Sequence, residues 1–251
     1  GSDDQQLIKA DKAVEFSVKA RIVGLKAATT YYYRFLYAQG DTHHSSRTGI
    51  TRTAPALDAD VPVRFAYVSC QDINGKYYNT YRRLAAEDVD FWVHLGDYIY
   101  ETTGNKTFQD TSPDRAVKFG DEAGAIAFHT GTDNAYFAAK SLDNYRDLYR
   151  TYRGDADLQA MHEKAPMIVI WDDHEFTDDC WGDQATYFDG ESDEHSPTRR
   201  RDADQAWFEY MPVDYMGEPE FAFDASKGLE QRLRIYRDFH FGKNLHLVMT
   251  D

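Results

Sequence analysis

The sequence predicts an α/β fold: a sheet-and-helix domain over residues 56–251, preceded over residues 1–55 by part of a β-sandwich of fibronectin or immunoglobulin type. Three observations predict it. Residues 13 to 53 alternate apolar and polar positions with a period of two, as half-buried strands do. From Val63 onward the pattern changes to strand, helix, strand within about forty residues, a βαβ unit with parallel pairing. Met167-Ile168-Val169-Ile170-Trp171 then has the length and composition of a parallel strand buried on both faces, and it ends abruptly in Asp172-Asp173-His174-Glu175.

Composition bounds the function classes. With 251 residues, 42% of them apolar, the chain can build one large α/β domain or one domain plus a smaller one. Its 18 Tyr and 15 Phe favour a folded, secreted or enzyme-like protein over a disordered one. A formal net charge of −15 argues against nucleic-acid grooves and anionic membrane surfaces as partners, since both need basic patches. Phosphate remains a possible ligand if metal ions supply local positive charge. No apolar run approaches the roughly 20 residues of a membrane span, and no targeting peptide is legible. The two cysteines, Cys70 and Cys180, are too few for a disulfide framework; one bridge between them and metal ligation by Cys70 are both open readings.

Taken in order, Val14, Phe16, Val18, Ala20 and Ile22 alternate with polar residues, as do Tyr31, Tyr33, Phe35 and Tyr37, with a turn around Gly24 and Ala27-Ala28; Ser45 to Thr53 adds a third strand. Gly24-Leu25-Lys26 followed by Thr30-Tyr31-Tyr32-Tyr33-Arg34 has the look of the corner before the penultimate strand of a fibronectin-type sandwich. Such a sandwich needs about seven strands, and roughly three fit here, so the chain is expected to begin partway through a domain. Thr53 to Val61 is a linker. Val63 to Ser69 is a strand ending at Cys70, Tyr77 to Glu87 a helix, and Asp90 to Leu95 a strand ending at Gly96-Asp97-Tyr98-Ile99-Tyr100-Glu101.

Residues 102 to 141 are rich in Gly, Thr and Asp and read as a long loop over the site. Leu142, Tyr145, Leu148, Tyr149 and Tyr152 mark an amphipathic helix stopped at Gly154, and Leu158 with Met161 a short second helix. Ser196-Pro197 caps a helix with Ala203, Ala206, Trp207 and Tyr210 on one face. Leu233 to Phe241 and Leu245 to Thr250 form a hairpin around Gly242-Lys243-Asn244.

Four strands thus end in potential ligands: Cys70, Asp97 with Tyr100, Asp173 with His174, and Asp251. An Asp after a single strand is ordinarily a turn residue or helix cap, a buried Cys a small hydrophobe, and a lone His or Tyr a packed, hydrogen-bonded residue. Coincidence changes the reading, because parallel strands bring their carboxyl ends to one edge, where ligands of open α/β sheets bind. Carboxylates suit hard cations, and one carboxylate can bridge two. A thiolate and a phenolate suit a more acidic transition ion; Tyr100 would need one as highly charged as ferric iron, while zinc remains possible on Cys, His and Asp alone.

The motifs Ser69-Cys70-Gln71-Asp72, His94-Leu95-Gly96-Asp97-Tyr98-Ile99-Tyr100-Glu101 and Trp171-Asp172-Asp173-His174-Glu175 resemble the three successive motifs of PhoD-type alkaline phosphatases, relatives of the metallophosphoesterases. The resemblance extends over nearly the whole chain. It implies a metallophosphoesterase-like catalytic domain, an exported (secreted or periplasmic) enzyme acting on small phosphate monoesters or diesters, and Fe3+ held by Cys70, Asp97 and Tyr100 with Ca2+ nearby and Asp97 as bridge. Asp173 stands where the wider pattern has an Asn ligand, and His174 where a His contacts phosphate. The family's later Asp and His ligands are expected beyond residue 251. A phospholipase D-like diesterase on the same scaffold and a calcium-dependent surface module without turnover are the rival readings.

Overall fold

The computed structural model describes residues 7–110, 113–185, 194–213 and 235–250. Near the N-terminus Lys12–Val14 form a 3-10 turn, because the Asp11 carboxylate accepts the Ala13 N–H at 2.8 Å. Glu15 and Phe16 follow with φ of 52° and 59°, a left-handed backbone that no strand accommodates. The alternation from Val14 to Ile22 therefore does not mark a strand, and among the described residues Val18 to Ile22 have no ladder partner. The tyrosine-rich run does pair: β1 (Thr30–Tyr33) runs antiparallel to β4 (Gly49–Arg52), while β2 (Leu36–Gln39) and β3 (Thr42–Ser45) form a separate hairpin.

The remainder is a mixed α/β assembly. β5 (Phe65–Val68), α1 (Asn79–Leu84) and β6 (Phe91–His94) form the βαβ unit that the sequence predicts, with β5 and β6 parallel. Residues 102–141 are not structureless: β7 (Thr102–Thr103), β8 (Ile126–Phe128) and β9 (Tyr136–Ala138) make a three-stranded antiparallel sheet, from runs too short to show a period in sequence. α2 (Leu142–Arg153) opens on a reciprocal cap, in which Ser141 Oγ accepts the Asn144 N–H and Asn144 Oδ1 accepts the Ser141 N–H, both at 3.3 Å. α3 (Ala156–Lys164) then delivers the chain into β10 (Met167–Val169).

β10 pairs with β6 in parallel, giving the sheet order β10-β6-β5. A small β11 (Gln184–Ala185) and β12 (Glu194–His195) precede α4 (Pro197–Tyr210). The Ser196 side chain makes no cap hydrogen bond, so Pro197, whose missing N–H costs nothing in the first turn, is what starts this helix. β13 (Arg237–Phe241) and β14 (Leu245–Met249) form the expected hairpin from Arg237 onward; Leu233 lies outside the described residues.

The core gathers on the sheet and α2. Phe91, Trp92 and Val169 of the sheet and Tyr145, Leu148, Tyr149 and Tyr152 of α2 are all buried in one apolar cluster, and large aromatics of this kind supply most of the apolar area withdrawn from water. Helices α2 and α4 are joined by a buried bidentate pair, Arg146 to Glu209 at 2.8 and 2.6 Å. The hairpin is pinned to the sheet by Phe241, stacked on Phe91 at 4.1 Å, and by Arg237 donating to the Val169 carbonyl at 2.7 Å. Three parallel strand ends therefore meet at one edge, not four: β14 pairs only with β13 among the described residues, and Asp251 lies outside them.

Candidate metal centre

Beyond β5 and β6 the chain does not relax into ordinary loops. Cys70 and Asp97 both have left-handed backbones, φ 57° and 55°, a conformation that costs a residue with a Cβ about 1 kcal/mol or more and persists only when its surroundings impose it. Adjacent strand ends impose it on each other, since Cys70 N donates to Gly96 O at 3.3 Å and Gln71 N to Asp97 O at 3.0 Å. Gly96 has φ 100°, and a Cβ there would overlap the backbone nitrogen of Asp172. The ends of β6 and β10 thus touch through a position that only glycine can fill.

Glu175, 3% exposed, completes the clamp. Its carboxylate accepts the backbone N–H groups of Asp97 at 3.0 Å, Tyr98 at 2.6 Å and Asp172 at 2.8 Å. Burial pushes its pKa up to about 8, although the three donors pull the other way. The positions of Glu175 and Asp172 on either side of Asp173-His174 would suit an orienting role toward His174 and the ligands. The structure instead has Glu175 holding backbone, and Asp172 exposed and contributing its N–H. Glu175→Ala would leave three donors without their acceptor, at about 1 kcal/mol or more each. We expect the unfolding free energy to fall by about 3 kcal/mol, with loss of activity; an unchanged denaturation midpoint would show that the clamp carries no weight.

Around Asp97 the candidate ligands converge. Asp97 is 6% exposed; its Oδ2 accepts from the Tyr100 hydroxyl at 3.2 Å, while its Oδ1 is buried with no hydrogen-bond partner. Cys70 stands close enough to Asp97 and Tyr100 for both to influence its ionisation. Burial pushes the Asp97 carboxyl up, and burial followed by the Asp97 and Cys70 charges pushes the Tyr100 hydroxyl up. The Cys70 thiol also rises, through burial and Asp97, with Ser69 and Tyr100 opposing. Three acidic groups whose ionisation burial disfavours, with an orphaned carboxylate oxygen in their midst, fit a bound cation, whose charge would offset that penalty. Both cysteines are free thiols, so Cys70 is not consumed by a bridge to Cys180.

Asp173 and His174 do not continue β10 as extended chain. Phe176 N and Thr177 N both donate to Asp173 O at 2.8 Å, making a turn. The alternation of an extended strand, which would send these two side chains apart, is lost. Asp97, Asp173 and His174 each offer a ligand atom within 4.8 Å of the others, and Asp173, Asp178 and Asp179 form a second such group.

His174 is enclosed by acids. Its Nδ1 lies 2.7 Å from Glu101 Oε2 and its Nε2 3.4 Å from Asp178 Oδ1. Burial lowers its pKa, but the Glu101 hydrogen bond and the Glu101, Asp97 and Asp173 charges outweigh that and raise it to about 9. Glu101, 1% exposed, is itself fixed by the Thr177 hydroxyl at 3.3 Å and the Asp178 N–H at 3.0 Å. Sequence reasoning quoted Glu101 within its motif and gave it no role; its signal was its position closing the run Gly96–Glu101. Likewise α2 reaches the site through the Tyr152 hydroxyl, which donates to Asp72 Oδ1 and accepts the Tyr100 N–H, both at 3.1 Å.

A mixed α/β protein with a carboxylate, imidazole, thiol and phenol cluster at the carboxyl edge of a parallel sheet is the class that fold and site define. Within that class the sequence is specific. Residues 65–251 match the model of the PhoD-like phosphatases, and residues 3–55 match that of the PhoD-like phosphatase N-terminal domain. The chain belongs to the PhoD-like phosphatase family. It is 32% identical over 234 residues to alkaline phosphatase D of Bacillus subtilis (strain 168), a match that covers 93% of this chain and 35% of that protein. The solved structure of PhoD superposes with a TM-score of 0.71 at 33% identity, covering 95% of this chain and 40% of that one. The chain thus spans about a third of the length of the curated relative it matches. Among the described residues no helix is long and apolar enough to cross a membrane.

Proposed function

We propose that the intact protein is a metal-dependent phosphoesterase that hydrolyses small phosphate monoesters or diesters, and that Cys70, Asp97, Tyr100, Asp173 and His174 are this chain's part of its active site. The observation that carries the reading is the convergence on Asp97: a thiol, a phenol and a second acidic group with an imidazole meet around an orphaned carboxylate oxygen. Cys70, Asp97 and Tyr100 would hold Fe3+, and Asp97 with Asp173 would hold Ca2+, with zinc as the alternative on the Cys, His and Asp donors. When bound, these ions supply Lewis acidity toward phosphoryl oxygens and acidify a water to serve as nucleophile.

The chain's own residues do the rest. Glu175 and the left-handed Asp97 fix where the carboxylate points. His174, held charged by Glu101, donates a hydrogen bond to a phosphoryl oxygen as negative charge builds there, or a proton to the leaving oxygen. The net charge of −15 favours a small ester over a polyanion. We further assign residues 1–55 to a β-sandwich-like N-terminal domain and residues 56–251 to a metallophosphoesterase-like domain, a division supported by the two family matches on either side of residues 56–64. An exported location, which the family resemblance implies, completes the reading.

Cys70→Ser tests the ligand set. A hydroxyl is a far poorer ligand than a thiolate, so the variant should lose the transition metal, most activity and any visible charge-transfer colour from a ferric–tyrosinate pair. A variant that keeps metal, colour and rate would make Cys70 structural.

A further inference from the structure

The β13–β14 hairpin carries another donor cluster, remote in sequence from the one around Asp97. In the antiparallel register His240 sits directly opposite His246. Asp238 precedes His240 by two residues and so shares its face of the strand. That face is the outer one: Asp238, His240 and His246 are exposed, whereas Phe241 on the other face is buried against Phe91. The two imidazoles stack with centroids 3.9 Å apart and planes 13° from parallel. Asp238 Oδ2 lies 2.8 Å from Nε2 of His246 and 3.5 Å from Nε2 of His240. The three residues offer ligand atoms that all lie within 4.8 Å of one another.

We propose that Asp238, His240 and His246 form a surface site for a divalent transition ion of the zinc type, distinct from the metal centre proposed at the sheet edge. The donor set decides the class of ion. Two imidazoles with one carboxylate suit zinc and its neighbours, whereas calcium and magnesium take oxygen ligands. The donor spacing is close to what such an ion needs, and the two stacked exposed rings must turn out of parallel so that their in-plane lone pairs meet at one point. Bond lengths of about 2.0–2.2 Å in a tetrahedron put donors roughly 3.3–3.5 Å apart, the separation that Asp238 already keeps from His240. The shorter contact to His246 must open by roughly half an ångström, which rotation of exposed side chains supplies. Three protein ligands leave a fourth position for water or an external group.

The site does not rest on the phosphoesterase reading, but it touches the same framework. An ion held by His240 and His246 would cross-link the two strands of the hairpin. That hairpin braces β10 through Arg237 and the Val169 carbonyl, three residues before Asp172. Occupancy should therefore raise the stability of the intact protein in proportion to the logarithm of free zinc.

The test is equilibrium dialysis of the metal-stripped intact protein against zinc alone, comparing the parent with a His240→Gln, His246→Gln double variant. Both positions are exposed on the hairpin, and equal melting temperatures of the metal-free proteins confirm that the variant folds. The expected result is one zinc fewer per chain in the double variant, loss of the corresponding zinc-dependent rise in melting temperature, and retention of that zinc by an Asp97→Asn variant. Equal zinc stoichiometry in parent and double variant would overturn the site. So would loss of the same zinc on Asp97→Asn.

Discussion

Asp97→Asn is expected to abolish turnover while leaving the fold largely intact. Asparagine has nearly the same shape, and it tolerates the left-handed backbone that Asp97 adopts at φ 55°. The backbone hydrogen bonds to Glu175 and from Gln71 involve main-chain atoms that the substitution does not touch. What disappears is the charge. The proposed bridge between two cations becomes a neutral amide, and the buried Oδ1 that no protein group satisfies loses its reason to be there. A fall in rate of at least about 10³-fold, of the order seen when a preorganised electrostatic contact is removed, is expected. It should come with loss of bound metal and little change in the denaturation midpoint. Activity within a few-fold of the parent, with metal still bound, would contradict the bridging role.

The second large effect is expected at His174. Both of its ring nitrogens face acids, Glu101 on one side and Asp178 on the other, and the Glu101 hydrogen bond and charge lead the effects that raise its pKa to about 9 against burial. With Nδ1 committed to Glu101, the Nε2–H is the group the ring can offer to an anion. His174→Ala should therefore lower kcat by about 10²–10⁴-fold, the range of a lost proton donor, and leave the metals in place. The turn at Asp173 makes the other outcome concrete, because it brings both side chains toward Asp97. If His174 is a ligand, the substitution strips a metal and destabilises the domain, since a buried acidic cluster loses its partner. Metal content measured beside single-turnover rates separates the two. Undiminished kcat at full occupancy would leave the residue without a role.

Much of the framework was legible because it obeys simple periods. The runs ending at Ser69, Leu95 and Trp171 are short and apolar, and β5, β6 and β10 lie inside them; five residues of the tyrosine-rich face of α2 predicted its extent to within a residue. Failures came where local chemistry overrode pattern. Asp11 capping a 3-10 turn and two left-handed residues abolished the strand that alternation promised from Val14. Strands of two and three residues in the segment 102–141 were too short to carry a period. At the site, sequence spacing brought Cys70, Asp97 and Asp173 to one edge, because parallel strands must do so. It could not show that Glu101 rather than Glu175 faces His174, since that depends on a turn and on which face of an irregular segment points inward. Nor could it show the strained backbones at Cys70 and Asp97, which exist only once the strand ends clamp each other.

The central claim is that hydrolysis depends on metal held at the edge of the β10-β6-β5 sheet. Its most direct test is the rate of phosphate monoester and diester hydrolysis by the intact protein before metal removal, after it, and after iron and calcium are returned. The account predicts that stripping the metals abolishes both activities, that returning the two ions restores them in the parent, and that the same treatment fails in Asp97→Asn. Full hydrolysis by the metal-free protein would contradict it.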